Sequence, residues 1–142
     1  MAENQPPANR LLSALPQNEY DLLATRLENF ELNYNENIYE PGAVIDHVYF
    51  PESGIISLLS QVDNHSSIEV GIVGSEGLAG LPVFLGVRTS GNVAVVQGAG
   101  TALRISADNF LAACSNGGSL TRIIQRFIHS LFIQISQSAA SN

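Results

Sequence analysis

The residues whose types suit chemistry gather between Ile68 and Gln97, where Gly74, Gly77, Gly80, Gly86 and Gly91 separate two β-branched runs, Ile68–Val73 and Val93–Gln97. Valine and isoleucine favour pleated strands, while glycines let the backbone turn tightly and approach a partner closely. A loop of this kind can turn backbone N–H groups toward an anion. Arg88 is its only basic residue, and Glu76 stands among its first glycines. The chemistry this pattern offers is ligand binding.

Other reactive side chains form weaker patterns. His47, His65 and Glu69 are of metal-ligating type, but there is no His-x-His pair and His65 falls in a predicted hairpin tip, so turn or surface positions account for them better. His129 lies in the middle of a predicted helix, at its surface or an interface. Haem ligation through His47 or His129 rests on the histidines alone. No Gly-x-Ser-x-Gly nucleophile elbow occurs, since Gly74-Ser75-Glu76-Gly77 is one residue short. The single cysteine, Cys114, makes no intramolecular disulfide, cannot hold an iron–sulfur cluster alone, and reads as a small side chain at a helix end.

The totals narrow the class. A chain of 142 residues builds one domain with its own core. All six basic residues are arginine, there is no lysine, and the net charge is −7, so this chain by itself is a poor DNA or RNA binder. Met1–Arg10 is polar and does not read as a signal peptide. The apolar stretch Leu120–Ile135 is broken by Arg122, Gln125, Arg126 and His129, and does not read as a membrane span. The expectation is a soluble, cytoplasmic protein.

The elements that must position the glycine loop follow from periodicity. Residues 1–8 are expected to fray. Leu11, Leu12 and Leu15 have helical spacing up to Pro16, and Asn18 is expected to cap a second helix carrying Tyr20, Leu23 and Leu27. Phe30, Leu32 and Tyr34 then alternate with polar residues, as in a strand. Further strands are predicted at Val44–Phe50, Ile55–Val62, Ile68–Val73, Val93–Gln97 and Thr101–Ile105, with Asp63-Asn64-His65-Ser66 as a hairpin tip. Six to eight short strands indicate a small antiparallel sandwich or barrel. Ser106 is expected to cap a helix over Ala107–Ala113, Asn116-Gly117-Gly118 to break it, and Ser119 to open a long helix to the C-terminus. That last helix carries two apolar stripes: Leu120, Ile124, Phe127, Leu131 and Ile123, Ile128, Phe132, Ile135, Ala139. One stripe docks on the barrel; the second points to a homodimer.

Taken together these segments resemble the sensor domain of Crp/Fnr-type bacterial transcription regulators, and the cyclic-nucleotide-binding fold in general. The resemblance is carried by Asn9-Arg10-Leu11-Leu12, Tyr39-Glu40-Pro41-Gly42, Val48-Tyr49-Phe50-Pro51, Ser57-Leu58, Val73-Gly74-Ser75-Glu76-Gly77, Gly80 and Val96-Gln97, through their order and spacing. It implies a mainly β, double-stranded β-helix (jelly-roll) domain over 1–142, with helices at about 9–28, the roll at about 29–106 and C-terminal helices at about 107–142. It also implies a dimerisation helix, and DNA binding through a helix-turn-helix domain that is not in this chain. Family members that bind cyclic nucleotides carry Gly-Glu in the loop for the ribose and a later Arg-Ser or Arg-Thr for the phosphate. Here the matching pair is Ala79-Gly80, and an ungapped alignment puts Ser90 at the arginine position. Arg88-Thr89-Ser90 reaches it only if the loop is shortened.

The expected ligand-binding residues are therefore Gly77, Leu78, Ala79, Gly80, Leu81, Arg88, Thr89 and Ser90, with Ile72, Val73, Leu78, Leu81, Val93 and Val95 lining the pocket. Losing the arginine pair removes about 1.5–3 kcal/mol from phosphate binding, which argues against tight cyclic AMP binding and leaves the effector open. The reading is a non-enzymatic, effector-sensing and dimerising domain of a transcription regulator. Its alternatives are a ligand-free dimerisation module of the same fold and a cupin-type metalloprotein.

Overall fold

A computed structural model describes residues 6–115 and 117–141. The chain begins with α1 (Arg10–Ser13) and α2 (Gln17–Ala24), continues through β1 (Glu28–Leu32), β2 (Asn37–Tyr39), β3 (His47–Pro51), β4 (Ile55–Gln61) and β5 (Ser67–Val73), and then enters the glycine loop. The loop contains a four-residue helix, α3 (Leu81–Phe84), and is followed by β6 (Val93–Gly98), β7 (Gly100–Ser106), α4 (Ala107–Cys114) and α5 (Ser119–Ser141). The first five residues of the expected frayed terminus, Asn116 of the expected break and Asn142 lie outside the described residues.

All strand pairs are antiparallel and form two sheets, ordered β1-β7-β3 and β2-β6-β4-β5. Their facing sides bury Leu32, Val48, Phe50, Ile56, Val73, Val96 and Ile105, and Leu12 and Phe110 seal this core from α1 and α4. The sheets thus make the jelly roll, with helices before and after it. The β4–β5 turn forms as expected because Asp63 accepts backbone N–H groups of His65 (2.8 Å) and Ser66 (2.9 Å), which also holds its carboxyl below the usual range. Ser106 caps α4 by accepting from the Asn109 N–H at 3.2 Å.

Three local expectations change. α2 opens one residue before Asn18, with Pro16 at the cap position and no side-chain cap bond, while Gln17 bonds Asp21 one turn on. Val44 is not in a strand: it makes an isolated bridge to Thr89, and its neighbours donate across to the loop, Gly42 N–H to Ser90 O (3.0 Å) and Ile45 N–H to Arg88 O (2.7 Å). The strand expected through Tyr34 ends at Leu32, and a short separate strand, β2, follows at Asn37–Tyr39.

β5 is the outermost strand of its sheet, and α5 runs along it. Leu120, Ile124, Phe127 and Leu131 are buried, so the first expected stripe is the docking face. In the second stripe Ile128 and Ile135 are half-buried, Ala139 is exposed and Phe132 is 68% exposed. Ile123 does not belong with them. At about 100° per residue it falls on the opposite flank of the helix, where it meets α1.

Candidate functional site: the glycine loop between roll and helix

The loop is fixed from three sides. From the roll, Ala79 exchanges two backbone hydrogen bonds with Tyr49 on β3, at 2.9 and 2.8 Å, and both Leu78 and Ala79 are buried. From α5, the Phe127 ring lies directly on Gly77, where an added Cβ would overlap it. From α1, Asn9 is fully buried and its amide donates to Gly77 O at 2.9 Å and Pro51 O at 2.8 Å. The Asn9 Oδ1 meanwhile caps α1 by accepting from Leu11 and Leu12 N–H. Arg10 N–H adds a bond to Ser75 O at 2.7 Å.

Gly80 begins α3 with φ +105°, a left-handed conformation that side chains rarely adopt, and a Cβ there would stand 3.0 Å from His47 O and 3.2 Å from Val48 Cα. The backbone at this position is pressed onto β3, so any side chain there would be both crowded and strained. Burial pushes the adjacent Tyr39 hydroxyl up to about 12, against the opposing effect of the Gly80 backbone N–H, so it stays protonated. Tyr39, His47 and Tyr49 border a groove of about 220 Å³ beside the Glu40–Asp46 turn.

The eight expected ligand-binding residues divide into two groups. Gly77 to Leu81 form one continuous segment against β3 and α5. Arg88, Thr89 and Ser90 lie against the 42–45 turn, and the Arg88 guanidinium pairs with Asp108 on α4 at 3.3 Å. Both partners are exposed, so that pair contributes little to stability. Among the expected lining residues, Val73 and Leu78 sit in the core and Leu81 packs against it. Val93 and Val95 are half-buried, and Ile72 faces a groove with Ile123 and Phe127.

The histidines and acids considered for a metal are engaged separately. His47 is beside Glu28 and Arg104, His65 is in the hairpin tip, and Glu69 accepts from the buried Ser57 hydroxyl at 2.7 Å while Gln97 also contacts that hydroxyl. Among the described residues no group of three or more His, Cys, Asp or Glu could hold a metal ion. Burial pushes the Cys114 thiol up to about 11. Among the described residues no helix is long and apolar enough to cross a membrane. The feature that sequence reading missed is the Asn9 clasp. An asparagine ahead of Leu11-Leu12 signals a helix cap, but nothing local shows that its amide reaches a residue 68 positions on.

Two antiparallel sheets, helices before and after, a helix-bearing glycine loop and a long final helix laid over that loop define a helix-flanked β-roll. Residues 30–116 match the family described as the cyclic nucleotide-binding domain, and the chain belongs to that family. Comparison with curated protein sequences finds no match. Among solved structures, it is similar to a guanosine-bound regulatory subunit of a cAMP-independent protein kinase A from Trypanosoma cruzi. Identity there is 16%, the TM-score is 0.70, and the match covers 83% of this chain and 41% of that one. The c-di-GMP-responsive regulator CLP from Xanthomonas campestris is similar at 15% identity and TM-score 0.72, covering 88% and 63%. The Thermus thermophilus catabolite activator protein gives 15% identity and TM-score 0.72, covering 92% and 61%. The chain thus spans about two fifths of the first and about three fifths of the other two.

Proposed function

We propose that this chain is a single effector-sensing and dimerising domain of a Crp/Fnr-type regulator, cytoplasmic and without catalytic activity, with DNA contacted through a domain outside this sequence. The observation that carries the reading is the seating of Phe127 on Gly77. Any ligand that shifts the loop must move the helix or lose that contact. On one flank of α5, beside the docking stripe, Thr121, Gln125, Ile128, Phe132, Ile135 and Ala139 alternate in steps of four and three, the spacing of a two-helix seam. Exposed Phe132 at its centre fits a second copy of the chain.

The effector is taken by Gly77, Leu78, Ala79, Gly80 and Leu81 together with Arg88, Thr89 and Ser90. With no carboxylate at Gly80 and Arg88 drawn to Asp108, the site does not suit cyclic AMP, and the similar proteins described as guanosine-bound or c-di-GMP-responsive support a wider range of ligands for this fold. A second reading, a roll that only dimerises, is favoured by the burial of Leu78 and Ala79. The test combines light-scattering chromatography with thermal shifts against cyclic AMP, cyclic GMP, c-di-GMP and guanosine. A dimer that F132E converts to a folded monomer, and stabilisation by one of these ligands, are expected. A wild-type monomer overturns the proposal, and a dimer that no ligand stabilises selects the second reading.

A further inference from the structure

A groove of about 330 Å³ opens between α1, the start of the glycine loop and α5, on the outside of the roll. Its floor is apolar, made by Leu11, Phe127 and Leu131 with Ile72 and Ile123 at the sides. Its rim carries Arg10 and Arg126 from the two helices, with the hydroxyl of Ser130 between floor and rim.

Two features set these arginines apart. Arg88 and Arg104 each pair with a carboxylate, and Arg26 donates to Asn109 at 3.2 Å. Among the described residues the guanidinium groups of Arg10 and Arg126 meet no carboxylate and make no hydrogen bond. In a chain of net charge −7 with only six basic residues, two unpaired guanidinium groups converge on one apolar-floored groove, and Arg122 and His129 continue the same exposed face of α5. Glu76 is the one carboxylate on the rim, and its Oε2 accepts the Gly74 N–H at 3.1 Å, so it is tied to the loop backbone.

We propose that this groove binds a small organic anion with an apolar body, whose phosphate or carboxylate is held by Arg10 and Arg126. The size is that of a small-molecule site, and the mix of apolar floor with a few charged groups is what fixes orientation in such sites. Guanidinium forks suit both phosphate and carboxylate oxygens. The groove lies on the flank of α5 away from the Phe132 seam, so the seam residues take no part in it, while Phe127 and Glu76 join its floor and rim to the glycine loop.

The test uses the full chain and 1-naphthyl phosphate as probe, with inorganic phosphate as the charged part alone and 1-naphthol as the apolar part alone. Titration followed by naphthyl fluorescence should give saturable binding that is at least tenfold tighter than either fragment and weakens with salt. R10Q and R126Q should each weaken it about tenfold, which corresponds to about 1.4 kcal/mol. E76Q should tighten it several-fold by removing a like charge, whereas R26Q should leave it unchanged. Thermal melts of the ligand-free variants establish that all remain folded. Absence of binding, binding equal to that of naphthol alone, or loss of binding in R88Q with R10Q and R126Q unaffected would each overturn the proposal, the last placing the anion in the loop instead.

Discussion

Gly77→Ala tests the mechanical link between loop and helix directly. The new methyl group would overlap the ring of Phe127, which is itself buried and cannot swing into water. Overpacking a filled site costs about 1–3 kcal/mol. Gly77 is outside the left-handed region, so alanine adds no backbone strain there. It instead returns about 0.4–1 kcal/mol by restricting the unfolded chain. The expected net loss is about 1–2 kcal/mol, or roughly 5 °C in melting temperature for a domain of this size. The assay is a double-mutant cycle in urea with Phe127→Leu. Once the ring is gone the methyl has room, so Gly77→Ala in that background should cost under about 0.5 kcal/mol or stabilise slightly. An equal loss in both backgrounds would mean that Phe127 does not press on Gly77, and the reasoning would fail.

The remaining predictions concern single side chains. Asn9→Ala should destabilise by about 2–4 kcal/mol, since it removes a helix cap and leaves two carbonyls without their donor. Asn9→Asp keeps the cap yet turns a carboxylate toward those carbonyls, so urea midpoints should place it no higher than alanine. His47 is held below its usual pKa of 6.5 by burial first and then by Arg104, with Glu28 and Asp46 opposing. Folding therefore favours the neutral ring, and this contribution is complete above pH 6.5 and is lost as pH falls toward the depressed value. His47→Gln should flatten the decline in urea midpoint between pH 7 and about 5.5, and an unchanged slope would count against it. With its pKa raised to about 11, Cys114 should react with a disulfide reagent at pH 8 about 100-fold more slowly than in urea-unfolded chain.

Strands β4 to β7, helices α4 and α5 and the hairpin tip were legible because each rests on a local signal: alternation, a cap, or an Asp–Ser turn. β2 was not, since Asn37-Ile38-Tyr39 is too short to show alternation and is held in place by β6, far along the chain. Val44 looks like a strand residue by type, yet the backbone beside it bonds to the glycine loop in place of a strand. Gly80 could be marked as a likeness to nucleotide-binding loops, but its left-handed φ and its contact with β3 are products of tertiary packing. Ile123 shows the limit of reading stripes by hydrophobicity: residue type alone groups it with Ile128 and Phe132, whereas helical geometry puts it across the axis with Arg10. The loop's glycines were readable, while the reason each is glycine came only from what stands against it.

The outermost position of β5 has a bearing on solubility. A strand edge with free amides, flanked by Ile68 and Val62 in the open, is a template on which a foreign chain can add itself. Gln134 accepts the Ile72 N–H at 2.6 Å, so the helix occupies the seat such a strand would take. A roll trimmed of its last helix would therefore be expected to clump, and anyone borrowing this scaffold would need to supply another guard along that border.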